Sequence, residues 1–521
     1  MGFKGTAHKV GCMKWMSTAF LLILILAAGL RMPRLAERPM HHDEANQAYR
    51  FGILLETGRY AYDADDHHGP TLYYLTLPVA WLSGVQTFAD TTEGTYRLVP
   101  VLFGLLLVLS PLLLRNDIGS VAVLCTALLT AVSSAMAYYS RFYIQETVFV
   151  FFTFLAIAAG MQALQRGSMR WAAACGLSAG LMFATKETAV LSFAAAVGAG
   201  VLCARWSRQG QVPWKLALPA LACAMAVWLV FFSSFFTHWS GPLDSFLAFK
   251  GYFQRGAGVA TDHVHPWYFY LKILFHYDQV GGLFRSEALI ILPGLAGCFL
   301  ILRKKIPSAC DLGLARFLMV YTLLLTIIYS AIAYKTPWCI LSFLHGWILL
   351  AGIAVAAALE AVRGSMRLTA AVALLFATAA AGLAFHAQQV AFRNAADDPN
   401  PYRYADTSPE FMDLPERVDA MAKVSPQGRN LYIQVIAPPS STWPLPFYLR
   451  RFPNVGFWTD AAAEPESPIP PIVISTPDIY VDPAVYVSEF HALRMNELLV
   501  LHVEAGLWER FMAAQRVSQK E

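Results

Sequence analysis

The chain has 521 residues, of which 57% are hydrophobic and only 14% charged, and its mean hydropathy is +0.47. Soluble domains carry about one-quarter charged residues, so this composition excludes an ordinary water-soluble protein. A formal net charge of +4, scattered along the chain, gives no basic patch for nucleic acid.

In chain order, the first apolar run is Met16 to Leu30, behind a tail carrying Lys4, Lys9 and Lys14. Because more runs follow, it reads as a retained span and not as a cleaved secretory signal. Further runs occupy Leu98 to Leu114, Ile118 to Tyr139, Thr147 to Ala163, Trp171 to Thr185 and Thr188 to Ala204. They continue at Leu216 to Phe236, Ala288 to Leu302, Phe317 to Tyr334, Trp338 to Leu359 and Leu368 to Phe385. Leu72 to Phe88 is also apolar, and whether it spans decides the parity of everything after it. If it lies at the interface, Arg115, Arg166/Arg170, Arg205/Arg208/Lys215, Arg303 to Lys305 and Arg363/Arg367 all face the cytoplasm with the N-terminus, as the positive-inside rule requires. The expectation is therefore a polytopic α-helical membrane protein with about eleven spans, N-terminus in and C-terminus out. Residues 1–389 form its membrane domain, with 31–97 and 237–287 as long outer loops.

Residues 390–521 are a different kind of sequence. Ser408-Pro409-Glu410 signals a helix start and Gly428 its exit, while Leu431 to Ile436, Ile472 to Ser475 and Leu498 to Val503 read as strands. A small extracytoplasmic α/β domain is expected there. The eight cysteines contain no CxxC, which removes a thiolate zinc site and leaves His and carboxylates as metal ligands.

Sorted by side, the unusual polar clusters all fall outside: His41-His42-Asp43-Glu44, Asp63 to Pro70, Ser140 to Glu146, Lys186-Glu187, His263 with His265, and Tyr334 to Trp338. Ionisable groups at the hydrocarbon boundary are costly and persist where they pair or serve a site. A carboxylate such as Asp43 has the chemistry to take a proton from an acceptor hydroxyl, and a neighbour such as Glu44 to orient it or hold a metal. His41 to Glu44 also suits a plain helix cap. His67, His68, His263 and His265 could hold a divalent metal or a phosphate, or simply hydrogen-bond. Arg141, Lys186 and Lys335 could clamp a lipid phosphate, snorkel to headgroups, or pair locally with Glu146 and Glu187.

HHDEA in the first outer loop, HGP-x-x-Y-Y-L at His68 to Leu75, SRFYIQE at Ser140 to Glu146, ATKE at Ala184 to Glu187 and YKTPW at Tyr334 to Trp338 together resemble the GT-C glycosyltransferases. The branch is that of the protein O-mannosyltransferases and aminoarabinose transferases, and the pattern is most similar to the flippase-activity-associated glycosylation proteins. The resemblance implies a polyprenyl-phosphate sugar donor, an extracytoplasmic acceptor and a plasma-membrane enzyme working on its outer side. It places Asp43 as base with Glu44 beside it, and matches Arg141 and Glu146 to the second outer-loop motif and Lys186 and Lys335 to motif lysines; with His68, these four are the expected substrate-binding residues, and no cofactor is expected beyond a possible metal. The implied reaction is a single displacement with inversion. The alternative is a flippase or flippase-associated subunit that handles lipid-linked sugars without breaking a bond.

Overall fold

A computed structural model describes residues 3–65, 68–207, 213–258, 263–275, 286–396, 400–459 and 469–518. The chain forms two compact units. The first comprises Met1–Pro33, Arg59–Val79 and Arg97–Tyr402; the second comprises Arg34–Gly58, Ala80–Tyr96 and Arg403–Glu521. Two stretches of the expected first outer loop thus group with the tail.

The first unit is helical. Among the described residues, seven helices are long and apolar enough to cross a membrane: Glu93–Ile118, Glu146–Arg166, Ala189–Trp206, Trp214–Phe232, Leu312–Ala331, Pro337–Val362 and Met366–Arg393. Trp15–Arg31, Thr71–Leu82, Ser120–Val132 and Ala288–Leu302 are shorter apolar helices. Pro337–Val362 is the central one, buried over 89% of its apolar stretch, whereas Met366–Arg393 is buried over only 11%. The sequence pattern agrees, since Gly346 and Gly352 on the central helix receive the hydroxyls of Thr322 and Thr126 where any side chain would clash.

Two expected runs differ in shape. Leu72 to Phe88 is a helix only over Thr71–Leu82, its twelve residues rising about 18 Å against the ~30 Å of a hydrocarbon core. Ile118 to Tyr139 is broken at Ser133, whose side chain caps a second short helix, Ser134–Tyr139. The break frees the carbonyls of Thr130 and Ala131, and the buried Arg31 guanidinium donates to them at 2.9 and 2.8 Å. In lipid such groups must find partners within the protein. A basic side chain at the end of the first helix supplies them here.

The second unit holds a five-stranded sheet: β1 (Ile433–Ile436), β2 (Val455–Trp458), β3 (Ile472–Ser475), β4 (Tyr486–Arg494) and β5 (Glu497–Glu504), ordered β2-β1-β3-β5-β4. β1 pairs parallel to β2 and β3; β5 is antiparallel to β3 and β4. One face, from Ile433, Val435, Ile472, Ile474, Leu499 and Leu501, packs on Asp413–Val424 and Ala505–Ser518. Ser408-Pro409 does open the helical stretch, but the helix ends at Val424, before Gly428, which starts a separate turn.

The helix packing of the first unit is tight enough to test. A Cβ on Gly176 would lie 1.9 Å from the carbonyl oxygen of Ala220 on the neighbouring helix, while one on Gly29 meets nothing within 4 Å. Gly176→Ala is expected to cost about 1–3 kcal/mol by overpacking and to lower the melting temperature in detergent. Gly29→Ala should leave it unchanged.

Candidate functional site

In the second unit, the HHDE string is a helix start. His41 is the N-cap of His42–Thr57, accepting the Asp43 N–H on Nδ1 at 3.0 Å, while the Glu44 carboxylate accepts the His41 N–H at 3.0 Å. This reciprocal arrangement satisfies amides that the first turn leaves open. Glu44 is fully buried and also takes Arg38 at 2.7 Å, and the other arm of Arg38 lies 3.6 Å from Asp406. Burial pushes the Asp406 carboxyl up, against the pull of His41 and Arg38. Asp43 is the half-exposed carboxylate of the string, on the helix turn where amide partial charges are positive. The loop is fastened to the tail within this unit: His41 Nε2 lies 2.9 Å from the Tyr404 carbonyl, Met40 N–H donates to Tyr448, and Tyr448 donates to Glu93 at 3.0 Å.

The remaining expected residues lie in the first unit. Lys186 and Glu146 form an ion pair at 2.5 Å with both side chains buried. Burial works against the Lys186 ammonium, but Glu146 more than offsets it and raises its pKa. The pair therefore joins the SRFYIQE and ATKE motifs to each other. Arg141 donates to the carbonyls of Arg31 and Pro33 at 2.8 and 2.7 Å and lies 4.4 Å over the Phe392 ring.

Glu187 turns to other partners. Fully buried, it accepts Tyr62 on Oε1 at 2.7 Å and Tyr252 on Oε2 at 2.9 Å, with His68 Nδ1 3.4 Å from Oε2. Burial would raise its pKa, but these donors, His68 first among them, hold it below the usual carboxylate range. The approach is close because Gly69 lies against the Ala184 carbonyl, where a Cβ would sit 2.1 Å from the oxygen.

Lys335 lies at a short antiparallel bridge between Val264 and Tyr334. Its backbone N–H donates to the His263 carbonyl at 3.0 Å, and its ammonium donates to the carbonyls of His265, at 3.1 Å, and Ile332. No carboxylate among the described residues pairs with it, and burial lowers its pKa. His265 is likewise lowered, by burial and then by His263 and Lys335. The sites read from sequence for a metal are not gathered: among the described residues no three His, Cys, Asp or Glu side chains form a ligand set, and His67 lies outside those residues. His263 and His265 instead contribute backbone carbonyls to Lys335.

Sequence reasoning missed Arg31, Tyr62 and Tyr252 as members of these networks, and gave Glu187 only as a local partner for Lys186. It also missed Glu287, fully buried, whose Oε1 accepts Ser133 and the Ala135 N–H, both at 2.9 Å. Burial raises the Glu287 pKa. The available signal was position, since Arg31, Glu187 and Glu287 each border an apolar run.

Residues 70–235 match the model of the family described as dolichyl-phosphate-mannose-protein mannosyltransferase. No curated protein sequence matches the chain. The solved structure of ArnT from Cupriavidus metallidurans bound to undecaprenyl phosphate superposes with a TM-score of 0.61 at 17% identity, over 95% of this chain and 99% of that one. The chain has the GT-C glycosyltransferase fold. The same GT-C architecture relates it to the Archaeoglobus fulgidus oligosaccharyltransferase AglB in complex with an inhibitory peptide and a dolichol-phosphate, at TM-score 0.56 and 12% identity over 95% and 77% of the two chains. A complex of the Archaeoglobus fulgidus oligosaccharyltransferase with zinc and sulfate gives TM-score 0.53 and 13% identity over 88% and 68%. Within the GT-C fold, the segment matched by the family model contains Arg141, Glu146, Lys186 and Glu187.

Removing one member of the buried pair strands the other. Lys186→Met is expected to destabilise the protein by about 3–5 kcal/mol, read as a lowered melting temperature. The double change Lys186→Met with Glu146→Gln should recover most of the loss. The Glu187 carboxyl contributes stability above its ordinary value of 4.5, lost as pH falls through its lower folded value.

Proposed function

We propose that this protein transfers a sugar from a polyprenyl-phosphate-linked donor to an extracytoplasmic acceptor by a single displacement with inversion at the anomeric carbon. The observation that carries the reading is the GT-C match over nearly the full length of both chains to a protein bound to undecaprenyl phosphate. The family-model match over 70–235 adds independent support from sequence.

In this reading the chain crosses the plasma membrane about eleven times, with its N-terminus inside. The first outer loop, residues 237–287 and the tail lie outside. Asp43, half-exposed on the first turn of its helix, takes the proton from the acceptor hydroxyl as that oxygen attacks. Glu44, committed to Arg38 and the His41 amide, fixes the helix start that presents Asp43. The leaving group is a phosphate, so fixed positive charge favours its departure without a general acid. Lys335 suits that role, since its ammonium is held only by carbonyls among the described residues. His68 is a second donor to the phosphate. Lys186 with Glu146, and Arg141 with the carbonyls beyond the first helix, hold the backbone that frames these donors. A zinc-bound structural neighbour keeps a divalent metal within the chemistry of the fold, but among the described residues no side chains gather into a metal-ligand set, and no step is routed through one.

Purified protein in lipid, given radiolabelled polyprenyl-phosphate sugars and cell-envelope acceptors, is expected to move label off the lipid. Asp43→Asn should lower that rate by about 10²-fold or more without changing the melting temperature. Lys335→Met should weaken use of the donor by about 10–100-fold, the worth of a hydrogen bond to a charged group. Label that stays on the lipid with folded wild-type protein and a broad donor set would instead fit a flippase or flippase-associated subunit.

A further inference from the structure

The hydrogen bonds around Glu187 fix where the proton of His68 sits. Tyr62 and Tyr252 each have one hydroxyl proton, and each donates it to the carboxylate, on Oε1 and Oε2 respectively. The Tyr252 oxygen is then left as an acceptor. His68 Nδ1 lies 2.8 Å from that oxygen and 3.4 Å from Glu187 Oε2, so it faces two acceptors and must carry a hydrogen. The two rings are also nearly coplanar, with an interplanar angle of 13° and centroids 6.2 Å apart. The orientation and tautomer of His68 are therefore both set by the Glu187 network. The other ring nitrogen, Nε2, has no hydrogen-bond partner among the described residues, and the side chain is 26% exposed.

A buried carboxylate behind an imidazole favours its protonated form, and a protonated ring with Nδ1 occupied offers one strong donor at Nε2. Glu187 has no lysine or arginine in an ion pair with it among the described residues; its neighbour Lys186 is taken by Glu146. Among the described residues, His68 is thus the basic side chain within ion-pair distance of Glu187.

We infer that Glu187 is a positioning residue that, with Tyr62 and Tyr252, holds His68 as an imidazolium whose Nε2–H donates to the phosphate of a polyprenyl carrier. This rests on the proposed function for the identity of the anion, but it assigns to Glu187 and the two tyrosines a role that the motif alone does not. The four residues come from three separate stretches: the loop of Tyr62 and His68, the turn after Met169–Thr185, and the helix Gly241–Gly256. The helix brings Tyr252 inward while Leu243, Phe246, Leu247 and Phe253 on its other side are exposed and apolar, a face suited to lipid. An anionic headgroup arriving from the membrane would meet a donor fixed by that same helix.

Among the described residues, other ionisable groups around the pair are few. Arg255 lies 4.9 Å over the Tyr252 ring, Asp244 faces Tyr62 electrostatically, and His238 lies 3.8 Å from Asp244.

The test is binding of undecaprenyl phosphate, without sugar, to the full-length protein in lipid nanodiscs at pH 8 and pH 5.5. Taking the ratio of variant to wild-type dissociation constants removes the carrier's own protonation. With Glu187→Gln the ratio is expected to rise about tenfold at pH 8 and to return toward one at pH 5.5. His68→Gln should stay weak at both pH values, and His238→Gln should match the wild type at both. Tyr252→Phe should weaken binding in the same pH-dependent direction, and it serves as the test if Glu187→Gln does not fold. A Glu187→Gln ratio near one at both values, or equally raised at both, would overturn the inference while leaving the proposed function standing. Folded wild-type protein that does not bind undecaprenyl phosphate at all would overturn both.

Discussion

A polar group that leaves water for the interior of a helical membrane protein must find its partner inside the protein, because lipid offers none. The first unit is arranged around that constraint. Where the helix breaks at Ser133, Arg31 takes up the freed carbonyls, and the Ser133 hydroxyl with the Ala135 amide settles on the buried Glu287. Where two helices meet in a turn at Lys186-Glu187, the two charges part, Lys186 to Glu146 and Glu187 to His68 and the tyrosines. Each arrangement ties distant stretches of chain together, so the polar interior decides which loops are brought side by side. The second unit shows the same logic at smaller scale, with Arg38 between Glu44 and Asp406.

Much of this was legible in the sequence and some was not, for reasons that differ by element. Apolar runs announced the helices because the bilayer demands length and low charge together. They did not announce the break at Ser133, since Ser-Ser within an apolar run is compatible with either a continuous helix or a cap, and the capping serine and Arg31 lie about a hundred residues apart. In the tail, β1, β3 and β5 carry runs of buried Ile, Val and Leu and could be read directly. β2 and β4 are edge strands of mixed burial, Val-Gly-Phe-Trp and a stretch interrupted by Ser, Glu and His, and their pattern is too weak to stand out.

The motif residues show the same division. HHDE was readable both as a cap and as a source of a catalytic acid, and the fold uses His41 and Glu44 for the cap. This leaves Asp43 as the half-exposed carboxylate of the string. The charged pairs within SRFYIQE and ATKE looked local because their members are close in sequence. Helical geometry instead sends each charge to a neighbour on another segment, and sequence spacing holds no record of that choice. The role of Glu187 follows only from the directions of three hydrogen bonds, which no pattern of residues encodes.

The central claim is that the bond between sugar and carrier phosphate is broken on this protein. Mass spectrometry of the lipid fraction, after incubation of purified protein with a panel of polyprenyl-phosphate sugars and envelope acceptors, tests it most directly. The account predicts free polyprenyl phosphate accumulating in step with sugar on the acceptor. Intact lipid-linked sugar recovered in full from folded, carrier-binding protein, whichever leaflet it occupies, would contradict it.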